Sequence, residues 1–557
     1  MYIIGIDVGG TNTDAALLYG DEVRALVKIP TNHQDLFSST TQALEQILEH
    51  YQGVEPLRLH LSTTLSTNAI VEGRGTPTIA VVVPGPGVNL RSLEFPFPII
   101  ELDGYIDHRG REVSPLNMDQ VGHLGDSLSD ERGSALAVVG KFSQRNPSQE
   151  QKLGSELAKW HQGVISLGHR LSGRANFPRR IVTTYLNASV ARNQQDFVDV
   201  LQTLARGSIG EMLVLKADGG TMTLGDSLQR PIETILSGPA ASIMGAQSLT
   251  HCQEKNFLII DIGGTTTDLA AVVDSEVLFE RDGATISGYK TLVPAVLTRS
   301  IGLGGDSELG YHKGQGIIVG PKRAGTPVCL GGERLTPTDA AVALGLARVG
   351  SDKAAIQAVS SWGLELGLAW DVLARKVIEA FTARLTQAVH SFYHELETIP
   401  LYTVHEVVHP PELRPQAVVG LGAPAPVFIP ALAKALELPW EVLPFCSGAN
   451  AIGAAASQAT VGITLRADTE LGIVTVPEMG YRGEIHRALF FDLDKARQLA
   501  EEKTREYAKS LGYAADSELY IVEEESFQMV RGFRTVGQTH MVRTQLRPQV
   551  RRIKGGP

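Results

Sequence analysis

The sequence contains the pattern D-x-G-G-T-x-T-D twice, and each copy combines carboxylates with adjacent glycines. The first copy runs from Asp7 to Asp14, and the second runs from Asp261 to Asp268. Adjacent glycines allow a backbone to turn tightly and allow a phosphate to approach without a Cβ in the way. Successive N–H groups in such a turn, together with a threonine hydroxyl, form a concavity that binds anions. Each copy therefore predicts a phosphate-binding turn, and for either copy alone a simple structural turn is the alternative.

The residues of the two turns have predicted roles toward a nucleotide. A carboxylate beside a phosphate is repelled unless a cation lies between them, so Asp7 and Asp261 are predicted to hold Mg²⁺ and to act in catalysis. Because Mg²⁺ keeps much of its hydration shell, water is expected between the ion and these side chains. Asp14 and Asp268 are expected to cap the turns through backbone N–H groups. The predicted nucleotide contacts in the turns are Gly9, Gly10, Thr11, Asn12, Thr13, Gly263, Gly264, Thr265 and Thr266.

The apolar residues around each copy indicate the elements that position these turns. A short β-branched run precedes the first Asp of each copy, and another apolar run follows the second Asp. Strand, tight turn and strand together predict a β-hairpin. Two such hairpins predict two similar lobes rather than a solenoid. Neither glycine pair opens a helix and no G-x-x-x-x-G-K-[ST] occurs, which argues against a dinucleotide-binding fold and a Walker-type ATPase.

Strand and helix patterns alternate along the rest of the chain. Buried strands are expected at 77–83 and 134–139, and helices over 184–204 and most of 352–396. Alternation of this kind predicts an α/β fold with mainly parallel sheets covered by helices. A charged helix with flanking strands then predicts a small C-terminal α+β domain. The expected units are 1–204 and 205–464, with one hairpin each, and 465–557.

The composition is that of a globular protein with several domains. Hydrophobic residues make up 43% and charged residues 20% of 557 residues, a length that exceeds what one core usually supports. The net charge of −11 argues against a nucleic-acid binder. No CxxC pair occurs, so neither a local zinc site nor a disulfide framework is indicated. Without a signal peptide or an apolar run of about 20 residues, a cytoplasmic protein is expected.

The paired hairpins resemble the two phosphate loops of the actin, hexokinase and heat-shock chaperone superfamily. Within that superfamily, the chain resembles the hydantoinase/oxoprolinase family over nearly its whole length. The resemblance implies two ribonuclease-H-like lobes around a nucleotide cleft, which is the actin-like ATPase fold. The segments that carry it are GIDVGGTNTD at 5–14, LSTTLSTNAIVEGRG at 61–75, LKADGGTMTLGDS at 215–227, PIETILSGPAASIMGA at 231–246, SIGLGGDS at 300–307 and FRTVGQTHMVRTQL at 533–546.

Some of these segments are candidate parts of the same site. Asn68 and Glu72 lie four residues apart and share a helix face, and both are candidate catalytic residues. A helix cap with a solvated glutamate is the alternative. The break at 237–239, followed by small residues, permits close backbone approach at a lobe hinge or under a nucleotide, with plain helix packing as the alternative. The D-G-G-T at 218–221 is either a substrate loop or a simple turn.

Further glycine-rich turns are predicted to contact the nucleotide. These predicted contacts are Gly304, Gly305, Gly420, Gly422 and Ala423. The last three occupy the place of the superfamily's adenosine motif, but Leu421 separates the two glycines and no His-containing helix follows. Asp306 stands where the family tends to have glycine. The altered adenosine segment concerns the base contact and the identity of the substrate and leaves the phosphate turns intact, and Asp306 is a second departure.

The resemblance implies an ATP-dependent hydrolase that opens lactams or cyclic imides such as hydantoins and 5-oxoproline. The implied first step is phosphoryl transfer from ATP to a carbonyl or enolate oxygen, which requires positioning and charge neutralisation. ATP and Mg²⁺ are the implied cofactors, and a small carbonyl or lactam compound is the implied substrate. An oligomer with a hydantoinase B-like partner subunit is expected, without nucleic acid or membrane. The alternative is a regulatory actin-like ATPase that reactivates or assembles a partner enzyme.

Overall fold

The structure is a computed structural model of the chain. It describes residues 1–32, 36–53, 56–128, 133–204, 209–398, 412–486, 488–513 and 518–554. The strands are β1 (Tyr2–Val8), β2 (Asn12–Tyr19), β3 (Glu22–Pro30), β4 (Leu57–Thr63), β5 (Thr78–Val83), β6 (Ile99–Glu101), β7 (Tyr105–Ile106), β8 (Glu112–Ser114), β9 (Ala135–Gly140), β10 (Ile165–Leu167), β11 (Ile209–Leu215), β12 (Thr221–Thr223), β13 (Phe257–Ile262), β14 (Thr267–Val273), β15 (Glu276–Val277), β16 (Thr285–Ile286), β17 (Tyr289–Lys290), β18 (Thr298–Ile301), β19 (Ser307–His312), β20 (Gly316–Arg323), β21 (Ala417–Leu421), β22 (Trp440–Val442), β23 (Gly462–Asp468), β24 (Ile473–Val476), β25 (Tyr481–Glu484), β26 (Leu519–Arg531) and β27 (Arg534–Leu546).

The α-helices include long ones that cover the sheets and short ones that close turns. They are α1 (Leu36–Leu48), α2 (Leu65–Val71), α3 (Met118–Leu128), α4 (Ser148–Leu157), α5 (Phe177–Leu204), α6 (Leu224–Gln229), α7 (Ser237–Leu249), α8 (Pro337–Ala343), α9 (Asp352–Leu366), α10 (Trp370–Glu397), α11 (Ala425–Leu436), α12 (Ala449–Ala456) and α13 (Leu493–Ser510). Among the described residues, no helix combines the length and the apolar composition needed to cross a membrane.

The first lobe is built on a six-stranded sheet in the order β3-β2-β1-β4-β11-β12. Strands β1, β2 and β3 are antiparallel neighbours, whereas β4 runs parallel to β1 and β11 runs parallel to β4. This is the ribonuclease-H-like arrangement. The predicted hairpin is formed by β1 and β2, and its register places Asp7 opposite Asp14.

The second lobe repeats this arrangement. Its sheet has the order β15-β14-β13-β21-β22, with β18 paired to β14 as well. Strands β13 and β14 form the second hairpin, in which Asp261 faces Asp268, and β21 runs parallel to β13. The sequence repeat is therefore a repeat of topology. The predicted α/β fold with two ribonuclease-H-like lobes is confirmed.

Two helices of small residues, α7 and α12, pack against each other between the two sheets. A Cβ on Gly245 of α7 would overlap the carbonyl oxygen of Ala449, and a Cβ on Gly453 of α12 would overlap that of Ala241. Helix α12 also lies on the first sheet, where a Cβ on Gly5 would overlap the carbonyl oxygen of Ala451. Only glycine at these positions allows the backbones to approach this closely. The helices thereby join the two lobes through one hydrophobic cluster.

The remaining predicted elements are present with small shifts. Strands β5 and β9 are the expected buried strands, and they form a parallel sheet with β6 and β10 in the order β10-β9-β5-β6. Helix α5 covers the stretch expected over 184–204, and α9 and α10 cover the one expected over 352–396. The predicted domain boundary at 204/205 falls at residues outside the described part. The first sheet continues beyond it, because β11 and β12 complete that sheet.

The C-terminal part has the expected α+β composition. Its five-stranded antiparallel sheet has the order β25-β24-β23-β27-β26, and α13 packs on β23 and β27. The amphipathic pattern of α13 explains this packing, since Ala496, Ala500 and Thr504 are buried on one face. The first strand of the sheet begins at Gly462, slightly before the predicted start at 465.

Candidate functional site

The two hairpin turns face one cleft between the lobes, with a volume of about 1030 Å³. Both strands of each hairpin end at this cleft, because each lobe presents the same edge of its sheet to the other. Most of the residues predicted for the site line it. These are Asp7, Gly9, Gly10, Thr11, Asn12, Asn68, Asp261, Gly263, Gly264, Thr265, Thr266, Gly422 and Ala423.

The first turn presents an open backbone to the cleft. It is closed by a hydrogen bond from the Gly9 N–H to the Asn12 carbonyl oxygen, at 3.1 Å. A Cβ built on Gly10 would meet no atom within 4 Å, so this side of the turn is free to receive a ligand. Thr13 does not line the cleft. Its side chain is buried and its hydroxyl lies 3.0 Å from that of Thr31, because alternate residues of a strand point to opposite faces.

The second turn is closed by the same kind of hydrogen bond, but a supporting loop covers one side of it, since a Cβ on Gly264 would lie 2.6 Å from Asp306 Oδ2. The Gly263 N–H donates to the Thr266 carbonyl oxygen at 2.9 Å. The N–H groups of Gly305 and Asp306 donate to the carbonyl oxygens of Gly263 and Gly264, at 3.0 and 2.7 Å. Gly304 and Gly305 therefore lie against the turn and are not among the residues that line the cleft.

Asp7 is a buried carboxylate at the end of β1. Its Oδ2 accepts a hydrogen bond from Asn450 Nδ2 at 3.1 Å, whereas its buried Oδ1 has no hydrogen-bond partner among the described residues. Burial is the main cause that raises the pKa of Asp7 to about 7. The charges of Asp14 and Asp261 add to the rise, and the nearby polar groups of Ser62 and Asn450 oppose it. A cation near Oδ1 would remove this penalty.

The second hairpin places Asp261 in a similar environment. Ser242 on α7 donates its hydroxyl to Asp261 Oδ2 at 2.5 Å. Burial raises the pKa of Asp261, and this hydrogen bond opposes the rise. Burial also raises the pKa of Asp268 to about 7, with a further contribution from the charge of Asp261. Several negatively charged carboxylates therefore lie close together in the cleft.

Two cations line the cleft within the described part of the chain, Lys28 and Arg299. Lys28 Nζ donates to Asp14 Oδ1 at 2.5 Å and to the Ser447 carbonyl oxygen at 2.9 Å, so it joins the first lobe to the segment before α12. The bond from Lys28 corrects the expectation that Asp14 caps its own turn. Arg299 is paired with Glu280 and Glu395.

Sequence reasoning missed Lys28, Ser242 and Asn450. A signal existed for Lys28, because extending the antiparallel register from β2 to β3 places Lys28 opposite Asp14. No comparable local signal points to Ser242 or Asn450. They reach the carboxylates from α7 and α12, and the packing of these helices between the lobes is a tertiary feature.

The structure separates the two candidate residues of α2. Asn68 lines the cleft, and its Nδ2 donates to the Thr64 hydroxyl at 3.2 Å. Glu72 ends the helix and forms an ion pair with Arg74 at the surface, away from the residues that line the cleft. Glu72 is therefore a solvated glutamate, as the alternative interpretation expected, and it is not part of the site.

The adenosine-motif segment is also divided. Gly420 is buried in β21, where a Cβ would overlap Ile429 of α11, so it has a packing role. Gly422 lines the cleft with φ +90°, and a Cβ there would lie 2.8 Å from Asp261 Oδ1. The backbone at Gly422 thus approaches the second carboxylate closely, which explains why a glycine is needed.

The two remaining segments have distinct positions. The Ser237 hydroxyl donates to the Thr63 carbonyl oxygen at 2.9 Å, and Gly238 and Pro239 line the cleft. This places the start of α7 at the contact between the lobes. In the D-G-G-T segment, Asp218 is buried and accepts hydrogen bonds from Gly220 N and from Gln545 Nε2, both at 2.9 Å. That segment is a turn that holds the C-terminal strand β27.

Comparison with known proteins identifies relatives over much of the chain. The gamma subunit of acetophenone carboxylase from Aromatoleum aromaticum is 29% identical over 393 residues, which cover 61% of this chain and 53% of that protein. The alpha subunit of caprolactamase from Pseudomonas jessenii is 25% identical over 380 residues, covering 62% of this chain and 54% of that protein. The chain spans about half the length of these curated relatives.

Solved structures show that the fold is shared. The crystal structure of ATP-dependent caprolactamase from Pseudomonas jessenii matches with a TM-score of 0.73 at 20% identity, covering 99% of this chain and 88% of that one. Nucleotide-free acetone carboxylase matches with a TM-score of 0.68 at 18% identity, covering 98% and 88%. The profile described as Hydantoinase/oxoprolinase matches residues 180–461, and that of the Hydantoinase/oxoprolinase N-terminal region matches residues 3–160. The chain therefore belongs to the hydantoinase/oxoprolinase family.

Proposed function

We propose that this protein is the ATP-using part of an enzyme that activates a lactam, a cyclic imide or another carbonyl compound for ring opening. The observation that carries the proposal is the pair of like hairpins at one cleft, each with a two-glycine turn and a carboxylate that is buried in the first hairpin and half-buried in the second. Two relatives with printed activities support it, a caprolactamase subunit and 5-oxoprolinase of Saccharomyces cerevisiae, the latter 24% identical over 410 residues.

The phosphates of ATP are assigned to the two turns. The N–H groups of Gly10 and Gly264 and the hydroxyls of Thr11 and Thr265 supply donors on opposite sides of the cleft. We assign the adenosine end to Gly422 and its neighbour Ala423, with Gly304 and Gly305 as the support of the second turn. The role of these residues is to orient the γ-phosphate toward the carbonyl oxygen of the substrate.

Asp7 and Asp261 fit a divalent cation. The unpartnered Oδ1 of Asp7 and the raised pKa of both carboxyls show groups whose charge is poorly compensated within the described chain. Across the same ranges, no three His, Cys, Asp or Glu side chains converge as metal ligands. Mg²⁺, which keeps water and phosphate oxygens as ligands, suits such a sparse set. When bound, it would neutralise the negative charge of the phosphates.

The proposed reaction has two balanced steps. The substrate carbonyl oxygen attacks the γ-phosphorus, the bond between that phosphorus and the β,γ-bridging oxygen breaks, and ADP leaves. The product is an O-phosphorylated imidate, whose carbon is a better electrophile than that of an amide. The second step consumes two waters. The first adds to this carbon and the ring C–N bond breaks, which leaves an acyl phosphate and a free amine. The second adds to the acyl carbon, the C–O bond to phosphate breaks, and phosphate and the opened amino acid are released. Asn68 is positioned in the cleft to donate a hydrogen bond to the substrate.

A partner subunit for the second step is part of the proposal, because the relatives include subunits of carboxylases and of caprolactamase. We propose a hydantoinase B-like subunit and an oligomeric assembly. A cytoplasmic location is consistent with three cysteines, Cys252, Cys329 and Cys446, that form no disulfide.

The test is a screen of ATP hydrolysis with lactams, hydantoins, 5-oxoproline and ketones, with and without the partner subunit. We expect at least one carbonyl compound to accelerate ADP release in the presence of Mg²⁺. Wild-type protein is compared with Asp7→Asn, which should remove the stimulated and the basal rate. If a protein partner stimulates hydrolysis and no carbonyl compound does so with the partner present, the regulatory ATPase replaces the hydrolase.

A further inference from the structure

A second polar cavity lies between the parallel sheet of β5, β6, β9 and β10 and the C-terminal sheet. Its volume is about 90 Å³, and the turn between β7 and β8, the turn after β9 and strands β23 to β25 form its walls. None of its lining residues lines the cleft between the lobes. The charged side chains around it are Arg109, Arg111, Arg145, Arg466, Arg482 and Asp468.

Two of the five arginines are neutralised by acids. Arg109 bonds Asp468 at 3.1 Å and Glu470 at 2.9 Å. Arg111 bonds Asp107 at 2.9 Å. The carboxylate of Asp468 is therefore already used by Arg109, and it does not offset the other guanidinium groups.

Three arginines remain without an acidic partner in hydrogen-bond contact. Arg466 donates to the neutral Gly173 carbonyl oxygen at 3.2 Å. The guanidinium groups of Arg145 and Arg482 make no hydrogen bond or ion pair with any residue that the structure describes. Three positive side chains thus face a cavity whose lining carboxylate, Asp468, is already paired with Arg109.

The electrostatic penalty falls on two half-buried side chains, Arg466 and Arg145. Burial and, after it, the charge of Arg145 lower the pKa of Arg466 to about 10, against longer-range attraction to Glu525, Glu478 and Glu523. Burial lowers the pKa of Arg145 as well, and Asp468, Asp107 and Glu525 oppose this while the charge of Arg109 adds to it. Like charges are held close together in a partly buried site, and such an arrangement is costly unless a counter-charge is bound.

We propose that this cavity is a binding site for a small oxyanion, a phosphate or a carboxylate group, outside the nucleotide cleft. The planar guanidinium fork matches the oxygens of both groups and favours two parallel hydrogen bonds. The cavity, at about 90 Å³, has room for one such small group. A bound anion would connect the turn between β7 and β8 and the turn after β9 to the C-terminal sheet. The proposal does not depend on the nucleotide chemistry of the cleft.

The test measures thermal unfolding of the full chain against the concentration of sodium phosphate, with sodium chloride keeping the ionic strength constant. A saturating non-hydrolysable ATP analogue is present so that the phosphate turns are occupied. We expect a saturable rise of the unfolding midpoint for wild type, because a ligand that binds only the folded state stabilises it. A parallel titration with acetate distinguishes a carboxylate site from a phosphate site.

Arg145→Gln is the test variant and Arg375→Gln is its matched control, since Arg375 is an exposed arginine of α10 paired with Asp371. We expect Arg145→Gln to bind the anion at least about tenfold more weakly, and the control to match wild type. Without the anion, Arg145→Gln should unfold at or above the wild-type temperature, because an unpaired, half-buried charge is removed. If Arg145→Gln does not fold, the same titration is measured on Arg482→Gln, because Arg482 is exposed. Equal responses of Arg145→Gln and wild type, or no response to either anion beyond chloride, overturn the proposal.

Discussion

At the scale of residues, the candidate site concentrates carboxylates where the chain ends its two central strands. Asp7 is buried and Asp261 is half-buried at these ends, and their hydrogen-bond partners are neutral side chains, Asn450 and Ser242. A neutral hydrogen-bond partner orients a carboxylate but does not neutralise its charge. The negative charge of these carboxylates is therefore not compensated by the protein and needs a ligand. For this reason, removing the charge should lower activity without lowering stability.

Replacing either carboxylate by its amide should separate activity from folding. We expect Asp7→Asn and Asp261→Asn each to lower the turnover of ATP by about 100-fold or more, because each acts on charge that develops during transfer. The unfolding temperature should not fall, since a buried charge is removed. Glu72→Gln is the matched control at the surface and should keep its activity. Near-normal turnover in both aspartate variants would refute the assignment.

The raised pKa values predict a dependence of stability on pH. Unfolded carboxyls titrate near pH 4, whereas burial raises the pKa of Asp268 to about 7 in the folded state. The folded protein therefore binds more protons between about pH 4 and pH 7, and its stability falls as the pH rises through this window.

Asp268→Asn tests this linkage without relying on nucleotide binding. We expect the variant to gain about 1 kcal/mol or more over wild type at pH 8 relative to pH 5, from roughly one pKa unit or more of shift. Denaturant unfolding at both pH values measures the difference. An exposed carboxylate, as in Asp352→Asn, should show no such pH-dependent gain. The same stability difference at both pH values would mean that Asp268 titrates as an ordinary carboxyl.

The open side of the first turn gives a test of the phosphate contact. A Cβ at Gly10 meets no protein atom within 4 Å, so Gly10→Val should fold normally and place its side chain where the phosphate must approach. We expect at least about a tenfold loss of ATP affinity in calorimetry. Gly310→Val in β19, which also meets nothing within 4 Å, is the control for the substitution itself. Unchanged binding would make the hairpin a structural turn.

At the scale of elements, α7 and α12 decide how the lobes are joined. Their contact depends on glycines, because a Cβ on Gly245 would overlap a backbone carbonyl oxygen of the other helix. Backbone atoms cannot move aside as a flexible side chain does, so the helices must separate. The same helices carry Ser242 and Asn450 to the carboxylates, and their packing therefore also sets the geometry of the site.

A pair of glycine-to-alanine variants measures this contact. We expect Gly245→Ala in α7 to destabilise the protein by about 1–3 kcal/mol, the usual cost of overpacking. Gly122→Ala in α3, where a Cβ meets nothing within 4 Å, should stabilise it by about 0.5–1 kcal/mol through helix propensity. Denaturant unfolding compares the two. Equal effects would show that the close approach of α7 and α12 is not important for stability.

At the scale of the whole molecule, each lobe supplies one hairpin turn, a proposed phosphate contact, to a cleft of about 1030 Å³. A nucleotide satisfies both turns best when the lobes close on it, so it favours a closed state in which it gains contacts. The segment at 237–239 lies at the contact between the lobes, where its Ser237 hydroxyl bonds Thr63 of β4. We infer that the two lobes rotate about this segment when the cleft closes.

Small-angle scattering with and without a non-hydrolysable ATP analogue tests closure. We expect the radius of gyration to fall on binding in wild type and to stay unchanged in Gly10→Val at the same analogue concentration. A radius that does not change on binding, beyond error, would remove the hinge role from 237–239. A substrate carbonyl compound should complete closure, as lids commonly do to exclude water.

Local sequence by itself determined the two hairpins and, through their repetition, the pair of like lobes. A turn of two glycines between β-branched runs depends on neighbours along the chain, so its strands and the facing pairs Asp7–Asp14 and Asp261–Asp268 follow from the pattern. The buried strands and long helices follow from periodicity for the same reason. The family resemblance extended this to the fold and to one cleft.

Only the tertiary structure decided which candidates reach the cleft. Glu72 shares a helix face with Asn68 by spacing, yet the end of α2 leaves it in solvent beside Arg74. Gly304, Gly305 and Gly420 lie behind the cleft wall, because their open sides are occupied by the Gly264 backbone, by the Thr338 and Pro424 side chains, and by Ile429, respectively. Ser242 and Asn450 join the site from helices distant in sequence. Sheet order and the close packing of α7 and α12 set these positions, and both depend on contacts between segments that no local pattern encodes.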